Sequence, residues 1–268
     1  MPNITHVTPD MNAPRPDWVM PPDRDVTVRG YRIRYWDKGA GKPIVFMHGF
    51  SGSASFEWGR VIDALAARHR VIALQCIGFA PSDVPDIVYS TEALTDHLGA
   101  FFTALDLKDV TLVGESFGGW LVGSYAVRSA GPDAPLPKLR KLVIVGGAVG
   151  DLRGGDRNAN GFVHDAIMRE VEAHFVGDPI PDNEATKAKI FEASGLAKHE
   201  LTAEKLSRID VPTLLLWGDR DALIPLVVGE RALAAIPNSA LTVFKDIGHI
   251  PSVECPNEFI AAVGDFAQ

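Results

Sequence analysis

A serine set between glycines at the end of an apolar run is where this chain first spaces residues for chemistry. Val110-Thr111-Leu112-Val113 leads into Gly114-Glu115-Ser116-Phe117-Gly118-Gly119, and a helical pattern runs from Trp120 to Arg128. A tight strand-to-helix turn crowds the backbone around the serine, and glycines two positions before and after it relieve the crowding and leave Oγ exposed. The helix start behind it presents N–H groups without intrahelical acceptors to developing negative charge. A serine hydroxyl is a poor nucleophile near neutrality unless a positioned base takes its proton, so a histidine is needed downstream.

His249, in Asp246-Ile247-Gly248-His249-Ile250-Pro251, follows the last apolar run of the chain. An imidazole with its ordinary pKa near 6.5 can accept and return a proton near neutral pH, and activity resting on it should fall below about pH 6. The seven other histidines lack that position; of these, His48 and His164 stand, with Trp120, as candidate substrate contacts. The base needs an acceptor that holds its tautomer and stabilises the imidazolium. In Trp217-Gly218-Asp219-Arg220-Asp221 the expected acceptor is Asp221. Asp219 reads as a turn acceptor, and Asp151, after the preceding strand, is the other alternative. Met47-His48-Gly49-Phe50 follows another apolar run, where a loop could aim the Phe50 N–H at a carbonyl oxygen. Together with the Phe117 N–H it would form an oxyanion hole, in which one donor typically contributes about 3 kcal/mol to transition-state stabilisation.

The elements that must carry these residues are legible as short apolar runs: Ile44 to Met47, Val71 to Leu74, Val110 to Val113, Leu142 to Val145, Thr213 to Trp217 and Leu241 to Phe244. Continuous rather than alternating hydrophobicity suits strands covered on both faces. Asp25 to Arg29 and Tyr31 to Asp37 flank Gly30 as an opening hairpin. Trp58, Val61, Ile62 and Leu65, and again Leu98, Phe101, Phe102 and Leu105, fall at helical spacing. Alternation of this kind implies a mostly parallel, eight-stranded α/β sheet with helices on both faces. All the candidate residues follow carboxyl ends of its strands, the rim where open α/β sheets bind ligands.

Roughly sixty residues separate the strand ending near Val145 from the one starting at Thr213, too long for a simple connection. Val163, Ile167, Val171 and Phe175 mark an amphipathic helix there, and Ile190, Phe191, Leu196 and Leu201 add further apolar surface. Residues 151 to 208 therefore read as a small helical lid, inserted between core segments 25–150 and 209–268. Residues 1 to 24, with six prolines, read as an extended surface arm.

Composition excludes several partners. Formal net charge is −8, from 34 acidic and 26 basic residues, with no dense basic run, so a nucleic-acid footprint is missing. No apolar run reaches the roughly 18 residues of a membrane span, and no signal-peptide pattern is visible, so a cytoplasmic protein is expected. Cys76 and Cys255 read as reduced, buried thiols.

Over nearly its whole length the sequence resembles the α/β-hydrolase superfamily, through His-Gly-Phe, Gly-Glu-Ser-Phe-Gly-Gly, Gly-Asp-Arg-Asp and Gly-His-Ile-Pro. The resemblance implies Ser116, Asp221 and His249 as triad, Phe50 and Phe117 as oxyanion donors, and no metal or organic cofactor. It is to compact esterase-like members with a small lid. Many relatives carry Asp-x-Pro-Gly-x-Gly-x-Ser where this chain has Gln75-Cys76-Ile77-Gly78-Phe79-Ala80-Pro81-Ser82, and Glu115 is an uncommon neighbour for the serine. A serine at 116 disfavours dehalogenase and epoxide chemistry, which needs a carboxylate nucleophile. Hydrolysis of a carboxylic ester of a small or medium, partly hydrophobic acyl substrate ranks first and lactone hydrolysis second. Carbon–carbon bond hydrolysis ranks third, because Phe50-Ser51-Gly52 and Ile250 stand where its enzymes usually carry a glycine-rich loop and a tryptophan. The fold also serves non-catalytic ligand-binding proteins, against which the complete triad argues.

Overall fold

A computed structural model describes residues 3–150, 152, 182–194, 196 and 201–268. Its strands are β1 (Ile4–Val7), β2 (Asp23–Val28), β3 (Tyr31–Lys38), β4 (Pro43–Met47), β5 (Arg70–Leu74), β6 (Thr111–Glu115), β7 (Lys141–Val145), β8 (Thr213–Gly218) and β9 (Ser239–Phe244). They form one sheet in the order β1-β9-β8-β7-β6-β4-β5-β3-β2. Only the pairings of β3 with β2 and with β5 are antiparallel. The helices are α1 (Ala54–Trp58), α2 (Ile62–Ala66), α3 (Thr91–Ala104), α4 (Phe117–Ser129), α5 (Glu184–Ala193), α6 (Ala203–Leu206), α7 (Leu226–Ala235), α8 (Pro251–Glu254) and α9 (Pro256–Phe266).

The period-2 geometry of strands sends successive side chains to opposite faces. Val45 and Met47 of β4 enter one core, with Leu98 and Phe101 of α3 and Leu121 of α4; Ile44 and Phe46 enter the other, with Trp58, Phe259 and Val263. Both faces are covered, which is why these strands read as unbroken apolar runs. In α3 the Ser90 hydroxyl caps the first turn by accepting from the Ala93 N–H at 3.1 Å, and Leu94, Leu98, Phe101 and Phe102 are all buried.

Two sequence expectations need correction. The sheet has nine strands, not eight, because Ile4–Val7 pairs in parallel with Leu241–Phe244. Ile4 and Val7 are half-buried and Thr5 and His6 exposed, too short a stretch to carry a periodic signal, and only the free edge of β9 gives them a partner. The arm is therefore not wholly a surface tether. Further along it, Trp18 is buried, donates its indole N–H to the Phe56 carbonyl at 3.0 Å, and has the Arg60 guanidinium 4.0 Å over its ring. Secondly, the Trp58 to Leu65 stripe is buried but divided between α1 and α2. At the break, a Cβ on Gly59 would lie 2.6 Å from Trp18 Cδ1.

The helix expected around Val163 to Phe175, with His164 and Asp151, lies outside the described residues. Of the expected lid, α5 and α6 are described: Ile190, Leu196 and Leu201 are buried, while Phe191 is 46% exposed. Cys76 and Cys255 are free and buried, in opposite cores. Among the described residues, no helix is long and apolar enough to cross a membrane.

Candidate active site

The chain leaves β4 towards β5 on one side, while β6 lies on the other. This reversal of direction opens a crevice at the carboxyl ends of β4 and β6. Met47 is in register with Gly114, so the loop after β4 and the turn after β6 emerge side by side. Ser116 occupies that turn with φ 55° and ψ −116°, a left-handed backbone that costs a non-glycine residue on the order of 1–3 kcal/mol. Its N–H donates to the Val145 carbonyl at 2.9 Å, and its carbonyl accepts from Trp120 and Ala148. The flanking glycines are sterically required. A Cβ at Gly114 would sit 2.3 Å from the Gly118 carbonyl oxygen, and one at Gly118 would sit 2.4 Å from that of Met47.

The loop after β4 is held from several sides. The Gly49 N–H donates to both carboxylate oxygens of Glu57, at 2.9 and 2.8 Å, and the Ser51 hydroxyl donates to Glu57 as well. Gln75 accepts from the Ala54 N–H and donates to the carbonyls of Gly52 and Ala80. This accounts for the unusual residue at the head of the Gln75–Ser82 segment: it ties the two rim loops together. His48 is fully buried; its Nδ1–H donates to the Gly49 carbonyl and its Nε2 accepts from the Cys76 N–H. Neither ring nitrogen is left for a substrate, and burial lowers its pKa to about 4, so it stays neutral. Phe50 stacks on Phe117 with centroids 4.4 Å apart and meets Phe191 of α5 at 5.2 Å.

On the other side of the crevice, Gly218 of β8 pairs with Phe244 of β9, bringing the two following loops together. Asp221 Oδ2 lies 2.7 Å from His249 Nδ1, and both residues are buried. Asp221 Oδ1 accepts from the N–H groups of Leu223 and Ile224, so the carboxylate is locked into its own turn. Asp219 instead accepts from the Asp246 N–H at 2.7 Å, a turn contact. Gly146, at the end of β7, leaves the space for this pair: a Cβ there would be 3.1 Å from Asp221 Oδ2.

Residues 44–263 match the family model for the alpha/beta hydrolase family. The chain belongs to this family. It is 29% identical to 2-hydroxymuconate semialdehyde hydrolase of Pseudomonas sp. (strain CF600), with 96% of each chain covered. It is 32% identical to 2-hydroxy-6-oxo-2,4-heptadienoate hydrolase of Pseudomonas putida (strain F1), over 91% of this chain and 95% of that one. Among solved structures, a serine hydrolase involved in carbazole degradation superposes with a TM-score of 0.74 at 25% identity, covering 91% of this chain and 98% of the other.

In this alpha/beta hydrolase the electrostatics of the site centre on His249. Burial disfavours its charged form, but the charge and hydrogen bond of Asp221, with Glu57 and Glu254 behind, outweigh that and raise its pKa above 6.5. The limb expected below about pH 6 therefore moves upwards. Glu254 accepts from the N–H groups of Gly248 and Ile250, clamping the backbone on either side of His249. The Nε2 edge of His249 faces Glu115, with Oε1 3.3 Å away. Among the described residues no hydrogen bond joins Ser116 Oγ to His249; catalytic hydrogen bonds of this kind often tighten only along the reaction.

Three residues here carry no motif: Glu57 and Gln75, which are buried, and Glu254, which is half-buried. The one local signal for Glu57 is a carboxylate set between Phe56 and Trp58. Trp120, the remaining candidate contact, is buried, stacks on Phe117 at 5.9 Å, and borders a cavity of about 190 Å³ shared with Arg128, Lys205 and Arg208.

Proposed function

We propose that this protein is a serine hydrolase in which Ser116 attacks an acyl carbonyl, His249 takes the Oγ proton and Asp221 holds the histidine, with carboxylic ester hydrolysis as the reaction. The observation that carries this reading is the 2.7 Å Asp221–His249 contact beside a serine held at a strained, positive φ. Backbone strain of this kind clusters at sites where a side chain must be presented rather than packed.

In the first half-reaction Oγ bonds to the carbonyl carbon while its proton passes to Nε2. The oxyanion is met by the N–H groups of Phe50 and Phe117. Collapse breaks the bond to the alcohol oxygen, which leaves with the Nε2 proton. Water then repeats the sequence on the acyl-enzyme. The stacked rings of Phe50, Phe117 and Phe191 favour a substrate with hydrophobic surface.

A second reading is supported by the relatives and by the cavity beyond Trp120. A 2-hydroxy-6-oxo-dienoate contains no ester, so its hydrolysis must break a carbon–carbon bond beside the 6-oxo group. Once the dienol becomes the 2-oxo tautomer, the departing electron pair delocalises into that ketone. The same serine and histidine serve, and Lys205 and Arg208 offer the substrate's carboxylate two cations in a cavity that Glu92 and Arg128, itself paired with Asp96, also border.

One experiment tests both: turnover of short-chain p-nitrophenyl esters, a lactone and 2-hydroxy-6-oxo-2,4-heptadienoate by the wild type and by Ser116→Ala. Ester turnover lost in the variant supports the first reading, and dienoate turnover at a higher kcat/KM than any ester replaces it with the second. Undiminished turnover by Ser116→Ala would remove the serine mechanism altogether.

A further inference from the structure

Two glutamates that the triad does not use lie between the loop after β4 and the histidine. Glu57 is fully buried, Glu115 is 1% exposed, and the two meet at Gly49, whose N–H donates to both oxygens of Glu57 and on which a Cβ would lie 2.8 Å from Glu115 Oε2. Two buried carboxyl groups this close do not both ionise, because each charge loses its water and repels the other, so one of them carries a proton. Glu57 is already an acceptor three times over, from the Gly49 N–H to both oxygens and from the Ser51 hydroxyl. The proton therefore belongs on Glu115, which donates it to Glu57. The other oxygen of Glu115, Oε1, is buried without a hydrogen-bond partner among the described residues, yet it lies 3.3 Å from Nε2 of His249.

The missing bond has a chemical reason. With Nδ1–H committed to Asp221, neutral His249 turns a lone pair towards Oε1, and two acceptors form no bond. When Nε2 gains the serine proton, the same 3.3 Å contact becomes a donor facing an acceptor. An interaction that appears only on the way through the reaction accelerates it, whereas one already present in the resting state does not.

We propose that Glu57 and Glu115 work as one proton-sharing pair, in which Glu57 anchors the Gly49–Phe50 loop and neutral Glu115 is a positioning residue that receives the Nε2–H of protonated His249. The inference rests on the serine hydrolase reading for the timing of the His249 proton, but not for the state of the pair. Neutrality matters, because an ionised Glu115 would hold the proton that the leaving group must receive. The charged and titratable groups facing the pair are Asp221, Glu254 and His249, and His48 beside it stays neutral. Burial, with the charge of Glu57, holds Glu115 well above the usual carboxylate range, while burial pushes Glu57 to about 7. Near pH 8 the pair thus keeps one proton.

The test has two arms. In the first, independent of turnover, infrared difference spectra of ¹³C-glutamate-labelled protein at pH 8 should show a protonated carboxyl band that Glu115→Gln removes. NMR titration of His249 should give nearly the same pKa in Glu115→Gln as in the wild type. A neutral carboxyl replaced by a neutral amide removes no charge, whereas replacing an ionised one would lower that pKa by about one unit or more. In the second arm, Glu115→Leu should lower kcat by about tenfold or more at nearly constant KM, the usual loss for a hydrogen bond to a charged group. Wild-type kcat should fall at alkaline pH as Glu115 loses its proton, and Glu115→Gln should recover most of the loss in Glu115→Leu without that alkaline fall. No protonated band, a His249 pKa lowered by a unit in Glu115→Gln, or equal kcat in the Gln and Leu variants would overturn the proposal. If the first arm succeeds and no substrate is turned over, the hydrolase reading fails and the proton-sharing pair stands.

Discussion

The middle of the sheet and its carboxyl rim are built from opposite materials. In β4, every residue from Ile44 to Met47 is buried and apolar, and the same holds for Leu142 to Val145 of β7. At and just beyond the carboxyl ends of such strands, the burial continues but the chemistry changes: His48, Glu115, Asp221 and His249 are all at or below 5% exposure, with Glu57 packed among them. A buried carboxyl group costs stability unless it is bonded, so a folded chain that gathers three of them round one histidine keeps them for something other than stability. The sheet supplies the free energy that the rim spends.

That contrast can be attacked from either side. The largest effect should come at the rim: Asp221→Asn frees His249 from its tautomer and should lower kcat/KM by about 10³–10⁴-fold with little change in unfolding midpoint. A loss under tenfold would mean that another carboxylate holds the histidine. In the middle of the sheet, Trp58→Ala should reverse the pattern. Trp58 is fully buried against Phe46, with ring centroids 4.7 Å apart, and Phe259. Its loss should cost about 3–5 kcal/mol in denaturant unfolding, with kcat per folded molecule nearly retained.

The rim's cost should also be visible in the pH dependence of stability. Burial raises the pKa of Glu57 from 4.5 to about 7, so over that window the folded chain binds more protons than the unfolded one. Stability then falls as pH rises through the window, and Glu57→Gln should flatten the slope of unfolding free energy between pH 5 and 7.5. An unchanged slope would place Glu57's titration outside it. In the same range, kcat/KM should rise with pH through a midpoint above 6.5, because Asp221 and the nearby glutamates raise the pKa of His249. The smallest effect belongs to the scaffold's surface: Ser90→Ala removes the hydroxyl cap of α3 and should cost about 1 kcal/mol, without altering activity.

Much of this architecture is written locally. A strand covered on both faces has to be apolar throughout, so six of the parallel strands stand out as runs, and the glycines round Ser116 are dictated by contacts within one turn. The choice of Asp221 over Asp219, by contrast, is made by partners far along the chain. Asp221, three residues past Gly218, reaches across to His249, while Asp219 is taken up by the turn at Asp246. What had no local signature is whatever needs a partner far along the chain. Ile4–Val7 becomes a strand only because β9 has an open edge. His48 looks exposed to a substrate in sequence, yet the approach of Cys76 and the turn of Gly49 consume both its nitrogens. Glu57 reads as one acidic residue in a helix until folding sets it against the Gly49 N–H and Glu115.

Sequence alone therefore determined the six apolar strands, the helical stripes between them and the crowded turn at Ser116, since periodicity and steric need act over a few residues. Tertiary structure alone decided which carboxyl groups lose their water and which acquire one another as neighbours. Desolvation and charge proximity depend on distance in space, and no spacing along the chain encodes that distance.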